Sequence, residues 1–413
     1  MTVHVIGAGL AGLSAAIALA GRGMHVVVSE AAKQAGGRCR SYHDGLLDMT
    51  IDNGNHLVLS GNKAVDRYLR DIGARSRLAG PGRAEFHFMD LQLGRRWTVR
   101  PDDGPVPWWI FDAARRVPGT SARDYLALLT LMRRHPGRCI GEIVRRDTIL
   151  WEKFLRPVLL SALNTAPEEA SADLAGAIVR ETLAKGGRHM EPLVASPSLA
   201  AAFVDPALDR LRRDGADIRL GRSLRAVKLA DGRAVGLAFD EEDETVGAED
   251  CVILAVPPWT AQKLLPGTDA PDAFRAILNA HFRIVPPSHA KTMVGLIGGT
   301  AEWVFAFHDR LSVTVSAADH LMDTDTDDLT LLLWRDVSTV HDLTGPVPPC
   351  RIVKEKRATF AATPAQAARR PAARTPWANL FLAGDWTDTG LPATIEGALR
   401  SGNTAASLVP GGA

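Results

Sequence analysis

The start of the chain combines a strand, a glycine-rich turn, a helix and a second strand. Residues 3–6 are an apolar, β-branched run, typical of a strand buried on both faces. Residues 10–20 are rich in Ala and Leu and predict a helix, and residues 26–28 predict the next strand. This order predicts a β-α-β unit with a parallel crossover, and therefore an α/β protein.

The turn of this unit carries a G-x-G-x-x-G pattern at Gly7, Gly9 and Gly12. The first glycine permits the tight turn, the second lets the backbone approach a pyrophosphate, and the third lets helix and strand pack closely. Glu30 follows the second strand, where a carboxylate accepts hydrogen bonds from ribose hydroxyls. The pattern predicts a dinucleotide site, which either NAD or FAD would fill.

A second glycine-rich turn follows, formed by Gly36, Gly37 and Arg38. An arginine that projects from such a turn can neutralise a further phosphate group. An exposed surface turn is the alternative interpretation of the same residues.

A second contact point for an extended cofactor lies near the end of the chain. Gly384 and Asp385 follow a predicted strand over 379–383, and Thr394 and Ile395 begin a predicted helix. Asp385 can bind ribitol hydroxyls or phosphate-bound water, and N–H groups at the helix start can bind an electron-rich ring oxygen. An Asx turn at Asp385 is the alternative.

Taken together, these motifs resemble the FAD-dependent amine oxidase and phytoene desaturase superfamily, and within it the squalene-associated branch, the hydroxysqualene dehydroxylases. The resemblance extends over almost the whole chain and is most specific in segments 52–56, 163–171, 298–304, 356–362 and 381–397. Family patterns often carry Gln where Asn55 stands. FAD is the implied cofactor, and its expected contacts are Gly7, Gly9, Gly12, Glu30, Gly37, Arg38, Asn53, Gly54, Val227, Gly384, Asp385, Thr394 and Ile395.

The resemblance also implies a discontinuous, Rossmann-like FAD-binding domain with an inserted, mixed α+β substrate-binding domain. The FAD-binding domain is expected at 1–60, 205–258 and 376–413, and the substrate-binding domain at 61–204 and 259–375. Local patterns predict helices over 63–72, 122–134, 144–163 and 171–184, a helix that opens at Asp205, a strand over 329–334 and an exposed connection over 363–376.

Composition narrows the range of partners and environments. With 48 basic and 47 acidic side chains, the net charge of +1 excludes a global field that would hold nucleic acid. Four cysteines without a C-x-x-C pair argue against a disulfide framework and against a metal site, so a cytoplasmic location is expected. Exposed arginine pairs, such as Arg133-Arg134, are expected either to form a solvated face or to rest peripherally on the inner face of a membrane.

In the implied reaction, a lipophilic polyprenyl alcohol, hydroxysqualene, loses its hydroxyl and accepts a hydride from reduced FAD to give squalene. Three alternatives stay open: an oxidative desaturase of a polyprenyl or carotenoid substrate, a flavin-bound scaffold without redox chemistry, and an amine oxidase. The last is disfavoured because three tyrosines are few for an aromatic cage. The electron donor to the flavin and the oligomeric state do not follow from the sequence.

A proton donor is needed for the hydroxyl to leave as water. Asp52 and His56 are the first candidates, because their segment is expected to run beneath the flavin ring. Glu302, Asp388 and Glu396 also lie in segments expected near the ring. Tryptophans at positions 97, 108, 109, 303 and 386 are candidates for the wall of an apolar tunnel, with a place in the core as the alternative.

Overall fold

The computed structural model describes residues 1–240 and 242–411, so the last two residues of the predicted segment 376–413 lie outside the described residues. The strands are β1 (Thr2–Ile6), β2 (His25–Glu30), β3 (Ser41–Asp44), β4 (Met49–Asp52), β5 (Leu57–Leu59), β6 (Leu78–Ala79), β7 (Phe86–Asp90), β8 (Arg95–Val99), β9 (Pro192–Ala195), β10 (Asp217–Leu220), β11 (Leu224–Ala230), β12 (Arg233–Phe239), β13 (Asp243–Thr245), β14 (Cys251–Leu254), β15 (Phe274–Phe282), β16 (Met293–Ile297), β17 (Trp303–Ala306), β18 (Leu311–Val315), β19 (Cys350–Phe360) and β20 (Leu380–Leu382).

The α-helices are α1 (Leu10–Ala20), α2 (Lys63–Asp71), α3 (Leu126–Met132), α4 (Arg156–Leu163), α5 (Ala172–Glu181), α6 (Asp205–Arg213), α7 (Pro258–Leu264), α8 (Thr326–His341), α9 (Pro364–Ala368) and α10 (Ile395–Leu408). Short 3₁₀ turns span Gly37–Cys39, Arg75–Arg77, Trp108–Phe111, Ala122–Tyr125, Ile140–Glu142, Leu183–Lys185, Gly187–His189 and Ala318–Leu321. Two π-helical segments span Trp151–Leu155 and Ala200–Val204.

A parallel sheet with the order β10-β2-β1-β14-β20 holds the predicted β-α-β unit. Its central strands are apolar and buried, because helices α1, α6 and α10 cover the sheet. Helix α10 approaches α1 closely, since a Cβ on Gly402 would lie 2.2 Å from the carbonyl oxygen of Ala11. The strands of this sheet come from three separate parts of the chain.

A second, seven-stranded sheet has the order β19-β15-β18-β17-β16-β7-β8. All its pairings are antiparallel except that between β7 and β16. One face packs against α8, and the other contributes aromatic residues to the core that the helices of residues 126–182 share. There are also three small sheets, β11-β12-β13, β3-β4 and β5-β9-β6.

Two predicted helices begin differently from expectation, and both contain a proline. The run predicted over 144–163 consists of the π-helical segment Trp151–Leu155 followed by α4. The helix predicted to open at Asp205 is instead preceded by π-helical Ala200–Val204. Pro157 and Pro206 each follow a π segment, because proline lacks an N–H and clashes with the carbonyl of an α-helical turn, and the wider π turn accommodates both effects.

Two further local predictions are wrong. Residues 329–334 form no strand but lie within α8, whose N-cap Asp325 accepts a hydrogen bond from the backbone N–H of Asp327. Its apolar positions repeat with helical spacing, which a six-residue window hides. The stretch 363–376 is not simply an exposed connection, since it contains α9 and the buried Arg370. By contrast, α10 begins at Ile395, where the sequence predicts its start.

Candidate functional site

The three glycines of the first turn have different surroundings. Gly7 has a φ of +108°, and a Cβ on it would lie 2.3 Å from the carbonyl oxygen of Ala255. A Cβ on Gly12 would lie 1.8 Å from the carbonyl oxygen of Gly7, so this position serves close packing. Gly9 has extended backbone angles, and a Cβ there would meet no atom within 4 Å. Only Gly9 therefore faces open space, at the N-terminus of α1.

Glu30 ends β2 and ties the neighbouring turns together. Its Oε2 accepts a hydrogen bond from the N–H of Ala8 at 2.7 Å, and its Oε1 accepts one from the N–H of Ala32 at 2.9 Å. Val227 lies on β11 with its side chain in the core, so only its backbone is available to a ligand. Glu30 retains lone pairs for hydroxyl donors, because a carboxylate has about four acceptor sites.

The second glycine turn lies against the first. The N–H of Gly36 donates to the carbonyl oxygen of Ala8 at 2.8 Å, and a Cβ on Gly37 would lie 3.4 Å from the Cα of Gly9. Gly36 and Gly37 both have positive φ, which glycine adopts without strain. The turn therefore places Arg38 beside the open space in front of α1.

Arg38 joins three distant parts of the chain. Its Nη2 donates to both carboxylate oxygens of Asp385 at 2.7 Å, and its Nη1 donates to the carbonyl oxygen of Ala358 at 2.5 Å. Burial opposes the charge of Arg38, but the Asp385 carboxylate outweighs it and raises the pKa of the guanidinium. The contacts with Asp385 and Ala358 hold Arg38, yet 43% of its side chain is accessible, and we infer that it lines a cavity.

The Asp385 loop is held by a buried arginine that the sequence patterns did not single out. Arg370 Nη2 donates to the carbonyl oxygens of Asp385 and Thr387 and to Oγ1 of Thr389. Its guanidinium also lies 4.9 Å from the ring centroid of Phe360. Burial lowers the pKa of Arg370 to about 10. The flanking Ala/Arg/Pro composition suggested an exposed segment and hid this role.

Thr394 and Ile395 form the start of α10. Thr394 is its N-cap, and Oγ1 accepts a hydrogen bond from the N–H of Gly397 at 3.0 Å. The preceding N–H groups of the first turn have no acceptor within the helix. They are thus available to an electron-rich group, as the sequence predicts.

Asp52 lies at the end of β4 and is 2% exposed. Its Oδ1 accepts hydrogen bonds from Ser41 Oγ at 2.6 Å and from the N–H of Leu199 at 2.9 Å, while Oδ2 lies 3.6 Å from Nη2 of Arg310. Burial raises the pKa of Asp52 despite these donors. Arg310 is itself 1% exposed and stacks 4.0 Å from the ring centroid of Phe307. Its position in a His-Asp-Arg turn gave no signal of burial.

The segment after Asp52 crosses the face of the seven-stranded sheet. Asn53 Nδ2 donates to Glu355 at 3.2 Å, and Asn55 Nδ2 donates to Oγ1 of Thr314 at 3.1 Å. A Cβ on Gly54 would lie 2.9 Å from Nδ2 of Asn279, so glycine is required for this approach. These contacts join the segment to β19, β15 and β18.

His56 is the last residue of this segment, and a hydrogen bond fixes the tautomer of its ring. Its Nδ1 donates to the carbonyl oxygen of Gly54 at 3.0 Å, and this leaves Nε2 without a proton in the neutral ring. Burial lowers the pKa of His56, which favours that neutral ring. Like Arg38, His56 lies deep in the molecule yet is partly accessible.

These features fit a flavin dinucleotide. Gly9 leaves space for a group at the N-terminus of α1, 43% of the Arg38 side chain is accessible to a ligand, and the starts of α1 and α10 offer N–H groups. The motifs at both ends of the chain, predicted separately, meet at the Arg38–Asp385 pair. Val227, Gly384 and Asn53 are all buried, so their side chains offer little free surface to a ligand.

The model of the family described as flavin containing amine oxidoreductase matches residues 10–410. The chain belongs to this family. A hydroxysqualene dehydroxylase of Rhodopseudomonas palustris is 51% identical over 409 residues, which are 99% of this chain and 98% of that relative. Another, from Zymomonas mobilis, is 47% identical over 405 residues, or 98% of each chain. The predicted family resemblance is confirmed.

Solved structures of two other proteins share the fold. Cyclohexylamine oxidase from Brevibacterium oxydans aligns with a TM-score of 0.74 at 14% identity and covers 99% of this chain and 98% of its own. A putative protoporphyrinogen oxidase from Exiguobacterium aligns with a TM-score of 0.70 at 18% identity and covers 98% of both chains. The predicted α/β fold and the prediction of an FAD-dependent oxidoreductase are confirmed, whereas the domain bounds stay a prediction.

Within the described part of this amine oxidoreductase, no helix is long and apolar enough to span a bilayer. Trp97, Trp109, Trp303 and Trp386 are buried, while Trp108 is 68% exposed. The tryptophans were predicted as a group, but the structure divides them between the core and the surface.

Proposed function

We propose that the protein catalyses the FAD-dependent reductive dehydroxylation of hydroxysqualene to squalene. The observation that carries this proposal is about 50% identity to hydroxysqualene dehydroxylases over nearly the entire chain. When bound, reduced FAD supplies the hydride that replaces the hydroxyl. No observation favours an oxidative desaturase, an amine oxidase or a scaffold.

We assign cofactor contacts to the residues around the cavity. Gly9 and the start of α1 bind the pyrophosphate, Glu30 accepts from the ribose, and Arg38 with Asp385 holds the polar chain between the phosphate and the ring. The N–H groups at Thr394 and Ile395 bind the ring. We also assign supporting contacts with FAD to seven further residues, which are Gly7, Gly12, Gly37, Asn53, Gly54, Val227 and Gly384.

Asp52 and His56 receive different roles in this proposal. Asp52 is surrounded by donors and buried, so it holds the segment 52–56 in place as a positioning residue. His56 presents an unprotonated Nε2, which accepts a hydrogen bond from the substrate hydroxyl and orients it. The supporting observation is that burial keeps the imidazole neutral.

The supply of a water-insoluble alcohol requires a route from the lipid phase. Between residues 106 and 149, six large apolar side chains are exposed: Val106 at 50%, Trp108 at 68%, Phe111 at 66%, Leu126 at 57%, Leu129 at 56% and Ile149 at 44%. We call these six residues the apolar face. Trp109 packs edge-on against Tyr125 with ring centroids 5.1 Å apart, and this inward pair leaves Trp108 and Phe111 directed outward.

Charge around the apolar face suits an anionic lipid surface. Residues 106–149 contain eight arginines and four acidic residues, although the chain as a whole is nearly neutral. Exposed aromatic and aliphatic side chains enter the lipid interface, and arginines beside them bind lipid phosphates. The apolar face therefore docks on a membrane peripherally, and this contact delivers the substrate.

Anaerobic turnover tests the function. The purified FAD-loaded protein is photoreduced, hydroxysqualene is added in detergent, and both the flavin spectrum and the lipid products are followed. Squalene formed in step with flavin reoxidation supports the proposal. A flavin that stays reduced while the lipid is unchanged, in protein with full FAD content, contradicts it.

A further inference from the structure

Glu302 immediately precedes β17 and is held on the end of β18. Its backbone N–H donates to the carbonyl oxygen of Thr314 at 3.3 Å, and its Oε2 accepts a hydrogen bond from the N–H of Ser316 at 2.8 Å. Main chain and side chain are thus fixed to the same short piece of strand. The carboxyl group has one defined orientation.

The piece of strand that holds Glu302 also holds the segment beneath the cavity. Thr314 accepts from Glu302 through its carbonyl oxygen and from Asn55 Nδ2 through Oγ1. Thr314 Oγ1 also donates to Oδ1 of Asn279 at 2.9 Å, against which Gly54 packs. Thr314 therefore connects Glu302 directly with the segment that contains His56.

A second chain of contacts leads from Glu302 to the Arg38 side of the cavity. The N–H of Ala317, next to Ser316, donates to Oδ1 of Asn164 at 2.6 Å. Asn164 Nδ2 donates to Oγ1 of Thr359 at 2.9 Å, and the preceding residue, Ala358, accepts from Arg38. The two chains of contacts connect Glu302 both to Asn164, at the end of α4, and to residues 52–56.

The second carboxyl oxygen of Glu302 is free to act. Within the described residues, no group donates a hydrogen bond to Oε1, yet this oxygen is not completely buried. The side chain lies deep in the molecule and is nevertheless partly accessible. Oε1 is consequently not sealed from solvent.

The other candidate acids are engaged elsewhere or lack a transferable proton. Glu396 accepts from the N–H groups of Ala64 and Val65 and thereby caps α2. Asp388 is exposed to bulk solvent. Asp52 is enclosed by its donors, and His56 carries its proton on the nitrogen that faces Gly54. Glu302 is the remaining member of the predicted set.

We propose that Glu302 is the general acid of the reaction and transfers the proton on Oε1 to the hydroxyl oxygen of the substrate. This inference rests on the proposed function. The C–O bond breaks with its electron pair on oxygen, water leaves, and the allylic carbon accepts the hydride that reduced FAD supplies. The flavin provides both electrons, and Glu302 regains its proton from solvent.

The charge environment agrees with this role. Burial raises the pKa of Glu302 to about 7, while the Ser316 hydrogen bonds and the charge of Arg156 on α4 oppose that effect only in part. Arg156 is the charged side chain that acts on Glu302 from the packed helix. Because the protonated form is the active one, the rate of the chemical step should fall as the pH rises through about 7.

Single-turnover reoxidation of the photoreduced protein by hydroxysqualene tests the proposal in wild type, Glu302→Gln, Glu302→Asp and the control Glu169→Gln. Glu169 is 47% exposed at the side chain and pairs with Arg275 at the surface. Gln retains the acceptor for Ser316, so the fold and the FAD content should persist. We expect E302Q to slow reoxidation about 100-fold or more and to abolish its pH dependence, E302D to be intermediate, and E169Q to match wild type.

A second readout does not depend on turnover. Infrared spectroscopy of the oxidised protein without substrate should detect a protonated carboxyl band that titrates near neutral pH, is absent in E302Q and shifts in E302D. Wild-type rates in E302Q, or the absence of such a band, would overturn the role of Glu302. If wild type forms squalene in either case, the proposed function stands; if wild type forms none, the function itself fails.

Discussion

Nη2 of Arg38 donates to both carboxylate oxygens of Asp385 at 2.7 Å, across 347 positions of sequence. The pair joins the glycine turn behind β2 to the loop behind β20, and Ala358 of β19 completes it through its carbonyl oxygen. One guanidinium therefore fixes the relative positions of both cofactor motifs and of the seven-stranded sheet. A lysine at this position cannot make the same set of contacts, because its single ammonium lacks the planar fork.

Replacement of Arg38 by lysine should weaken FAD binding about tenfold to hundredfold, since lost charge-assisted hydrogen bonds cost about 1.5–3 kcal/mol each. Fluorescence titration of the apoprotein with FAD measures the change. Arg67→Lys, at a site 70% exposed on α2, is the matched control. Equal FAD affinity in R38K and R67K would contradict the assigned role of Arg38.

Gly9→Ala and Gly12→Ala should have opposite consequences. The new Cβ of G9A meets no protein atom, so the thermal stability of the apoprotein should be unchanged while FAD binding weakens. The Cβ of G12A would lie 1.8 Å from the carbonyl oxygen of Gly7, so stability itself should fall. Thermal unfolding with and without FAD separates the two. Normal FAD affinity in G9A would exclude the pyrophosphate from this position.

The double replacement Trp108→Ser and Phe111→Ser should reduce binding to vesicles of anionic phospholipid several-fold, because it removes the two most exposed rings of the apolar face. Cosedimentation at low and high salt measures both the apolar and the electrostatic contribution. Leu331→Ser is the control, since Leu331 is 59% exposed but lies on α8. Self-association that the double variant abolishes, without any vesicle binding by wild type, would identify a second copy as the partner instead.

Arg310→Met should destabilise the fold by about 3–5 kcal/mol, because it leaves the buried Asp52 carboxylate without its cation. Urea unfolding of the apoprotein measures this free energy. The double variant with Asp52→Asn removes the unpaired charge and should recover part of the loss. If the double variant is no more stable than R310M, the ion pair does not explain the burial of Arg310.

Two buried histidines should make the protein sensitive to acid. Burial lowers the pKa of His281 to about 3 and that of His341 to about 4, well below their ordinary value of 6.5. The unfolded chain then binds protons that the folded chain does not, so stability is present above pH 6.5 and is lost as the pH falls from there towards these values.

The loss should be about 1.4 kcal/mol per pH unit for each of the two histidines. Urea unfolding between pH 7 and pH 5 should therefore show a smaller decline for His281→Asn than for wild type. His308→Asn, at a site 74% exposed, is the control. Parallel declines in all three proteins would contradict the contribution of His281.

The sequence predicted motifs whose residues are fixed by local chemistry. Gly7, Gly12 and the helix from Ile395 to Leu408 depend on turns, close packing and helix capping, and short-range patterns encode these. The helical state of 329–334 escaped prediction because a short apolar run fits both strand and buried helix. Arg310 and Arg370 escaped because an arginine in a polar stretch usually lies at the surface, and only tertiary packing buries it.

In the candidate site, too, the residue types could be predicted from the sequence, whereas their contacts depend on tertiary packing. Arg38 and Asp385 were each predicted to contact the cofactor, but their contact with one another depends on the closure of the fold. Asp52 and Glu302 were both candidate acids, and residue type alone could not rank them. Their hydrogen-bond partners distinguish them, since Ser41 and Leu199 occupy Asp52 whereas Glu302 keeps one oxygen free.

The parallel sheet has a consequence for biosynthesis, because its edge strand β20 is made long after β1 and β2. A nascent chain can form the first glycine turn early, but Arg38 has no Asp385 to bind until residue 385 has been made. A polypeptide that ends before residue 385 therefore lacks one of the two motifs proposed to bind the flavin. Under the proposed cofactor contacts, retention of FAD therefore requires that translation has passed residue 385.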